Sequence, residues 1–326
     1  MIRLSWNPFV VFFAIVVATA ATAQPTKTAP LPTPAPNGAP NADQSNADPA
    51  YGAFQRGFYI TAFTEATKRA QQNDPAAMTL LAELYAQGLG VGRDDSKAAQ
   101  WYKMAAAKGD RDAIFALAMF SFQGRAGPQN VEDGARLLEA AAKLGHPSAA
   151  YDLGLLYLQG QQFPQDLKRA AELFIIAAEA GNPEAQYVLA TMYKEGRGAP
   201  KDIGKAMRLM EQASVGGNVD AMVEFAIAQF NGDGTAKDEA AAARLFLKAA
   251  HLGNPVAQNR LARILMAGRG MPANPTEAVK WHLVAKSSGN SDPDLDVFAS
   301  KQTQAVRDAA DQAAKKWLST AVALRP

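Results

Sequence analysis

A chain of 326 residues without a single cysteine can use neither disulfides nor thiolate-bound metals, so its fold must rest on packing alone. Hydrophobic residues make up 48% of it and come largely from alanine, a composition that favours closely packed helices. Lys+Arg 33 against Asp+Glu 31 leaves a formal charge of +2 with no basic block, which excludes the electrostatic footprint of a nucleic-acid binder.

Residues 1–23 read as an export signal. Arg3 supplies the positive start, Phe9 to Ala20 an uncharged apolar stretch, and Ala21-Thr22-Ala23 a small-x-small cleavage site that would leave Gln24 first. The protein is therefore expected to be periplasmic or otherwise exported. It would be held at a membrane only if this segment stayed uncleaved, and Ser5, Asn7 and Pro8 shorten the apolar run below the roughly 20 residues of a comfortable span. Residues 24–50 carry Pro25, Pro30, Pro32, Pro34, Pro36, Pro40 and Pro49 among Ala, Asn and Thr, and are predicted to be a disordered linker with polyproline II character. Residues 51–74 are predicted to form one N-terminal capping helix, with Phe54, Phe58 and Ala62 on its apolar face.

A repeat begins at Pro75. Gly109, Gly145, Gly181, Gly217, Gly253 and Gly289 follow one another at intervals of 36 residues without insertion. The same register aligns Ala105, Ala141, Ala177, Ala213, Ala249 and Ala285, and a second glycine row at Gly88, Gly124, Gly160, Gly196, Gly232 and Gly268. Six repeats result, 75–110, 111–146, 147–182, 183–218, 219–254 and 255–290. Each opens with a capping residue, Asp74, Asp110, His146, Asn182, Asn218 or Asn254, in four cases followed by Pro at the first helical position. Helix A ends at the glycine row from Gly88, and a second cap row, Asp94, Asn130, Asp166, Asp202, Asp238 and Asn274, starts helix B. In the first repeat Ala98, Trp101, Tyr102 and Ala105 make one face of helix B, and Ala77, Leu81, Ala82 and Tyr85 contribute from helix A. Neither helix can hide its stripe alone, so neighbouring repeats must stack into a continuous core. Residues 291–326 leave the register and are predicted to be C-terminal capping helices, including one around Ala305 to Leu318 that carries Trp317.

The run Ala82-x-x-Tyr85-x-x-Gly88-x-Gly90-Val91-x-x-Asp94-x-x-Lys97-Ala98-x-x-Trp101-Tyr102-x-x-Ala105-Ala106-x-x-Gly109 resembles the Sel1-like repeat family, a relative of the tetratricopeptide repeats, and the resemblance extends from Pro75 to Asn290. It implies an all-α fold, a right-handed α/α superhelical solenoid of helix–turn–helix repeats, that works as an adaptor in signalling or assembly. Exported bacterial members of the family include regulators of surface-polysaccharide signalling, which suggests an envelope role by analogy. Ala126 and Gln162 depart from the family at the second turn glycine, and Ser121 and Gln229 at the tyrosine row.

The residues point to no catalytic centre, no cofactor and no metal. The three histidines occupy unrelated positions: His146 in a cap slot, His251 in a variable slot of helix B, and His282 at the edge of the core, in the row of Tyr102, Leu138, Phe174, Met210 and Phe246. Asp292-x-Asp294-x-Asp296 starts like a calcium loop, but Val297 replaces the required glycine and Thr303 the bidentate glutamate, so the segment reads as a capping turn.

Binding is expected on the A helices, which line the concave face in helical-repeat superhelices. Positions five, nine and twelve of each share a helical face. They give Phe115, Met119 and Phe122, then Tyr151, Leu155 and Leu158, then Tyr187, Thr191 and Lys194 as a candidate protein-binding groove. With helices about 8–10 Å apart the whole surface would run for roughly 50 Å, a length suited to a protein segment. The expected function is that of a non-enzymatic exported adaptor with a protein partner. A peptidoglycan- or polysaccharide-binding envelope protein is the alternative, and a hydrolase such as a β-lactamase is a third reading that the missing serine motif disfavours.

Overall fold

The computed structural model describes residues 48–323, Gln162 apart, and the proposed signal at 1–23 and most of the 24–50 linker lie outside the described residues. The fold is an all-α solenoid. Six helix pairs follow one another: α3 (Pro75–Gln87) with α4 (Asp95–Ala106), α5 (Arg111–Gln123) with α6 (Val131–Lys143), α7 (Pro147–Gln159) with α8 (Leu167–Glu179), α9 (Pro183–Glu195) with α10 (Ile203–Val215), α11 (Val219–Asn231) with α12 (Glu239–His251), and α13 (Pro255–Ala267) with α14 (Pro275–Ser287). They are preceded by α1 (Pro49–Gln55) and α2 (Tyr59–Gln71) and followed by α15 (Pro293–Ser300) and α16 (Gln304–Ala323). Each B helix packs on its own A helix, and the first five pack also on the A helix of the next pair.

Local chemistry sets the helix ends. All six B helices start from an extended Asp or Asn whose side chain accepts the N–H three residues on, an arrangement worth about 1 kcal/mol per helix. The A helices do the same, and His146 serves as a cap by accepting the Ala149 N–H on Nδ1 at 3.1 Å. Every A helix ends on a glycine in the left-handed region, from φ 65° at Gly124 to 84° at Gly232.

The alanine row is sealed inside the stack: Ala105, Ala141, Ala177, Ala213, Ala249 and Ala285 are all 0% exposed. Tyr102, Leu138, Phe174, Met210 and Phe246 fill the space between them and are buried as well. His282, expected at the edge of the core, is instead fully inside it at 1% exposure. Its Nε2 meets Asp296 Oδ1 at 2.8 Å, and Lys286 Nζ donates to the same oxygen at 2.7 Å. Asp296 arrives from α15, so the burial of a polar ring is made possible by the C-terminal cap.

The N-terminal segment departs from the single helix expected over 51–74. Asp48 caps a first helix through the N–H groups of Ala50 and Tyr51, with Pro49 at the first position. Pro49 and Ala50 therefore belong to the fold rather than to the linker, and Ala50 is 0% exposed. Gly57, at φ 78°, breaks the chain before α2 begins. Phe58, expected on the apolar face of a continuous helix, precedes α2 and is 58% exposed. The segment is thus a shortened helix pair, not a single capping helix. At the other end α15 has only eight residues, and α16 packs along α14, where Trp317 sits edge-on to Trp281 at 5.7 Å. No helix among the described residues is long and apolar enough to cross a membrane.

The Asp292-x-Asp294-x-Asp296 segment is held by separate partners. Asp292 is 4% exposed, accepts from Arg263 at 2.6 and 2.8 Å and from Asn259 at 2.9 Å, and caps α15. Burial alone would raise its carboxyl, but the bonds from Arg263, Asn259 and the Leu295 N–H outweigh that and hold it below the usual carboxylate range. Asp294 meets Arg263 at 3.2 Å. The turn is a capping and ion-pair junction between the last repeat and the cap.

Candidate binding surface

The candidate groove residues occupy successive A helices, but most are turned partly into the layers between them. Phe115 stacks on His146, ring centroids 4.4 Å apart and 21° between planes. Burial lowers the His146 imidazole below its ordinary range, partly opposed by Asp112 at 3.4 Å. Phe122 lies over Gly134, where an added Cβ would sit 2.9 Å from the ring. Tyr151 packs on Phe174 at 5.8 Å, and burial together with the charges of Glu184 and Asp152 pushes its hydroxyl up to about 12. Tyr187 donates to Glu224 Oε1 at 3.1 Å, while Lys194 Nζ reaches the other oxygen at 2.9 Å. Thr191 donates to the Tyr187 carbonyl at 3.1 Å. Met119 and Leu158 are half-buried. Leu155 is 7% exposed and belongs to the interior.

The presented face is centred on positions two, six, nine and thirteen, a stripe that shares only position nine with the one read from the sequence. Position two contributes the exposed Asp112, Glu184 and Asp220, and position six Ala116, Asp152, Val188, Glu224 and Arg260. Its charge is strongly uneven. Helices α3, α5, α7, α9 and α11 carry the seven carboxylates Glu83, Asp112, Asp152, Glu184, Glu195, Asp220 and Glu224 against the two cations Arg111 and Lys194, a net of −5, whereas α13 holds Arg260 and Arg263 and no carboxylate. Asp152 is half-buried and takes part in no ion pair or hydrogen bond through its side chain among the described residues; burial raises its carboxyl to about 6.

A cavity of about 280 Å³ opens between α11 and α13. Ile227, Phe230 and Met266 form its apolar walls and Phe246 its floor, with Arg260 and Arg263 also lining it. Arg269 closes one side, its guanidinium 4.5 Å from the centre of the Phe230 ring and paired with Glu239 at 2.5 and 3.2 Å. A second, more polar depression of about 320 Å³ flanks α13 on the side of Val256, Asn290 and Ser291 and shares Arg260 and Arg263 with the first. The stripe read from the sequence lies in the second to fourth repeats, away from this region. The one signal available was Arg260, the single cation in the row Leu80, Ala116, Asp152, Val188, Glu224, Arg260. Among the described residues no three His, Asp or Glu side chains meet in a way that would hold a metal ion. His251 lies edge-on to Trp281 at 5.0 Å, so the three histidines serve three separate environments.

Stacked helix pairs with this cap, turn and small-residue pattern define a helical-repeat protein of the type that mediates protein–protein contacts. The Sel1 repeat family model matches residues 75–110, 111–146, 147–182, 183–218, 219–254 and 255–290, and the chain belongs to that family. Among solved structures it is similar to a Sel1 repeat protein from Oxalobacter formigenes, with 27% identity and a TM-score of 0.62 over 73% of this chain and 98% of that one. It is also similar to c5321, a protective antigen of uropathogenic Escherichia coli strains, with 25% identity and a TM-score of 0.55 over 80% of this chain and 64% of that one. No curated protein matches the chain.

Proposed function

We propose that this chain is a non-catalytic adaptor that works in the cell envelope after export through residues 1–23, and that it holds a protein partner on the A-helix face of its repeats. The observation that carries the reading is the mixed character of that face. Half-buried apolar or small side chains such as Met119, Val188, Thr191 and Ile227 run along its middle, flanked by carboxylates such as Asp152 and Glu184. A polypeptide can satisfy both at once, its apolar side chains anchoring and its polar groups meeting the rim. Membrane attachment would follow only from an uncleaved N-terminal segment. Glycan binding is less well supported, because the rings that a sugar would stack on are already engaged: Phe115 by His146 and Tyr151 by Phe174, with the Tyr187 hydroxyl bound to Glu224.

The test is a pull-down from cell envelopes with the double variant Met119→Asp, Thr191→Arg. Both positions lie on the presented face and outside the fully buried core. The variant is expected to keep its helical spectrum and lose the partner that wild type retains. A partner held equally by both would overturn the assignment of this face.

A further inference from the structure

We infer that the cavity between α11 and α13 is a specificity pocket for a partner segment in which a large apolar side chain stands next to a carboxylate residue, the apolar group entering the cavity and the carboxylate pairing with Arg260. The inference rests on the adaptor reading above and adds to it the chemistry of one anchor.

The cavity has room for a large side chain. At about 280 Å³ it lies at the lower end of ligand pockets, which run to about 1,000 Å³. Its walls do not move freely. Arg263 is fixed by the bonds to Asp292, and Arg269 is fixed between Glu239 and the Phe230 ring. These two guanidinium groups are engaged by carboxylates of the chain itself. Arg260 differs: it is exposed, lines both depressions, and has no carboxylate partner among the described residues. A free guanidinium beside an apolar cavity presents a planar donor fork, which a carboxylate matches in geometry as well as in charge. The apolar walls reward a buried aromatic or aliphatic side chain at the same time. Charge selects the orientation further, because the presented face turns acidic on the α11 side, where Glu224 and Asp220 lie. An acidic residue is therefore welcome at α13 and repelled one repeat earlier.

The experiment uses the full chain with ¹³C-labelled methionine and isoleucine methyl groups and three capped peptides, Gly-Ser-Phe-Glu-Ser-Gly and its Phe-Lys and Ala-Glu counterparts. The methyl signals of Met266, Ile227 and Ile264, all lining the cavity, are expected to move saturably with the Phe-Glu peptide. Affinity should be about fivefold lower or worse for Phe-Lys and for Ala-Glu, the size expected for one solvent-exposed charge pair or one apolar anchor. In Arg260→Glu, which removes no hydrogen bond or ion pair among the described residues and should keep the wild-type circular dichroism spectrum, the order of Phe-Glu and Phe-Lys should invert. Unmoved methyl signals with the Phe-Glu peptide, equal binding of Phe-Lys, or an unchanged order in Arg260→Glu would each overturn the inference. Were it overturned while Met119→Asp, Thr191→Arg still abolished partner capture, the adaptor reading would stand without this pocket.

Discussion

Gly198→Ala is expected to destabilise the protein by about 3 kcal/mol, lowering its thermal midpoint by roughly 6–12 °C, although it adds one methyl group to a surface turn. Gly198 has φ 73°, and an added Cβ would lie 2.2 Å from the Leu167 carbonyl oxygen and 2.7 Å from the Met192 methyl. Leu167 is the first residue of α8 in the preceding repeat, so the clash is between backbone segments and sits on the joint between repeats. The left-handed backbone accounts for about 1–2 kcal/mol of the cost for a residue with a Cβ. Ala126 occupies the corresponding turn of the second repeat at φ 61°, so an alanine does adopt this backbone elsewhere in the array. The rest comes from the contact with the Leu167 carbonyl, which must give way at the joint between the repeats. In a solenoid, stability is approximately a sum of repeat and interface contributions, so loss at one joint also weakens the coupling of the two sides. Urea titration followed by circular dichroism checks it; a broadened transition would report the weakened joint, and a midpoint within error of wild type would show that the turn does not set the stacking distance.

Asp152→Asn is expected to do the opposite and to stabilise the protein above neutral pH, by about 1–2 kcal/mol. Burial raises the Asp152 carboxyl from its ordinary 3.8 to about 6, with no cation nearby to offset it. The folded protein therefore keeps a proton between those two values that the unfolded chain has already released. Stability falls as pH rises through this window and stays lowered above it, the reverse of the behaviour of a salt-bridged carboxylate. Asparagine is neutral throughout, so the variant should match wild type near pH 4 and exceed it near pH 8. Denaturant midpoints at the two pH values decide it; an equal difference between the proteins at both would mean that Asp152 carries no burial cost. A costly, unpaired carboxylate on the presented face is what a binding surface tolerates when the partner supplies the missing cation.

The architecture was legible in the sequence because one period carries the same chemistry six times: a capping side chain, a left-handed glycine and a fully buried alanine. The first helix was hidden because its start, Asp48-Pro49, closes a proline-rich run, although it repeats the Asp74-Pro75 signal that opens the first full repeat. His282 was misplaced for a related reason. Its burial depends on Asp296, fourteen residues later in a segment outside the repeat register. The presented face of the A helices was legible only in part. Positions five, nine and twelve and positions two, six, nine and thirteen are both valid stripes of one helix. Which of them faces outward depends on how each A helix rolls against its B helix and against its neighbours, and periodicity carries no information on that. The cavity at Arg260 comes from the relative sizes of Ile227, Phe230 and Met266 on adjacent repeats, a tertiary property that no single repeat displays.

The central claim is that the A-helix face carries the partner, and site-directed photo-crosslinking in intact cells tests it most directly. A photoreactive phenylalanine analogue would be placed in turn at Met119, Thr191 and Ile227 on the presented face, and at Met104 and Val215 on or beside the B helices, where those residues are 46% and 81% exposed. A protein adduct of one size is expected from the three A-helix positions and none from the B-helix positions. Adducts confined to Met104 or Val215, or no adduct from any A-helix position, would contradict it.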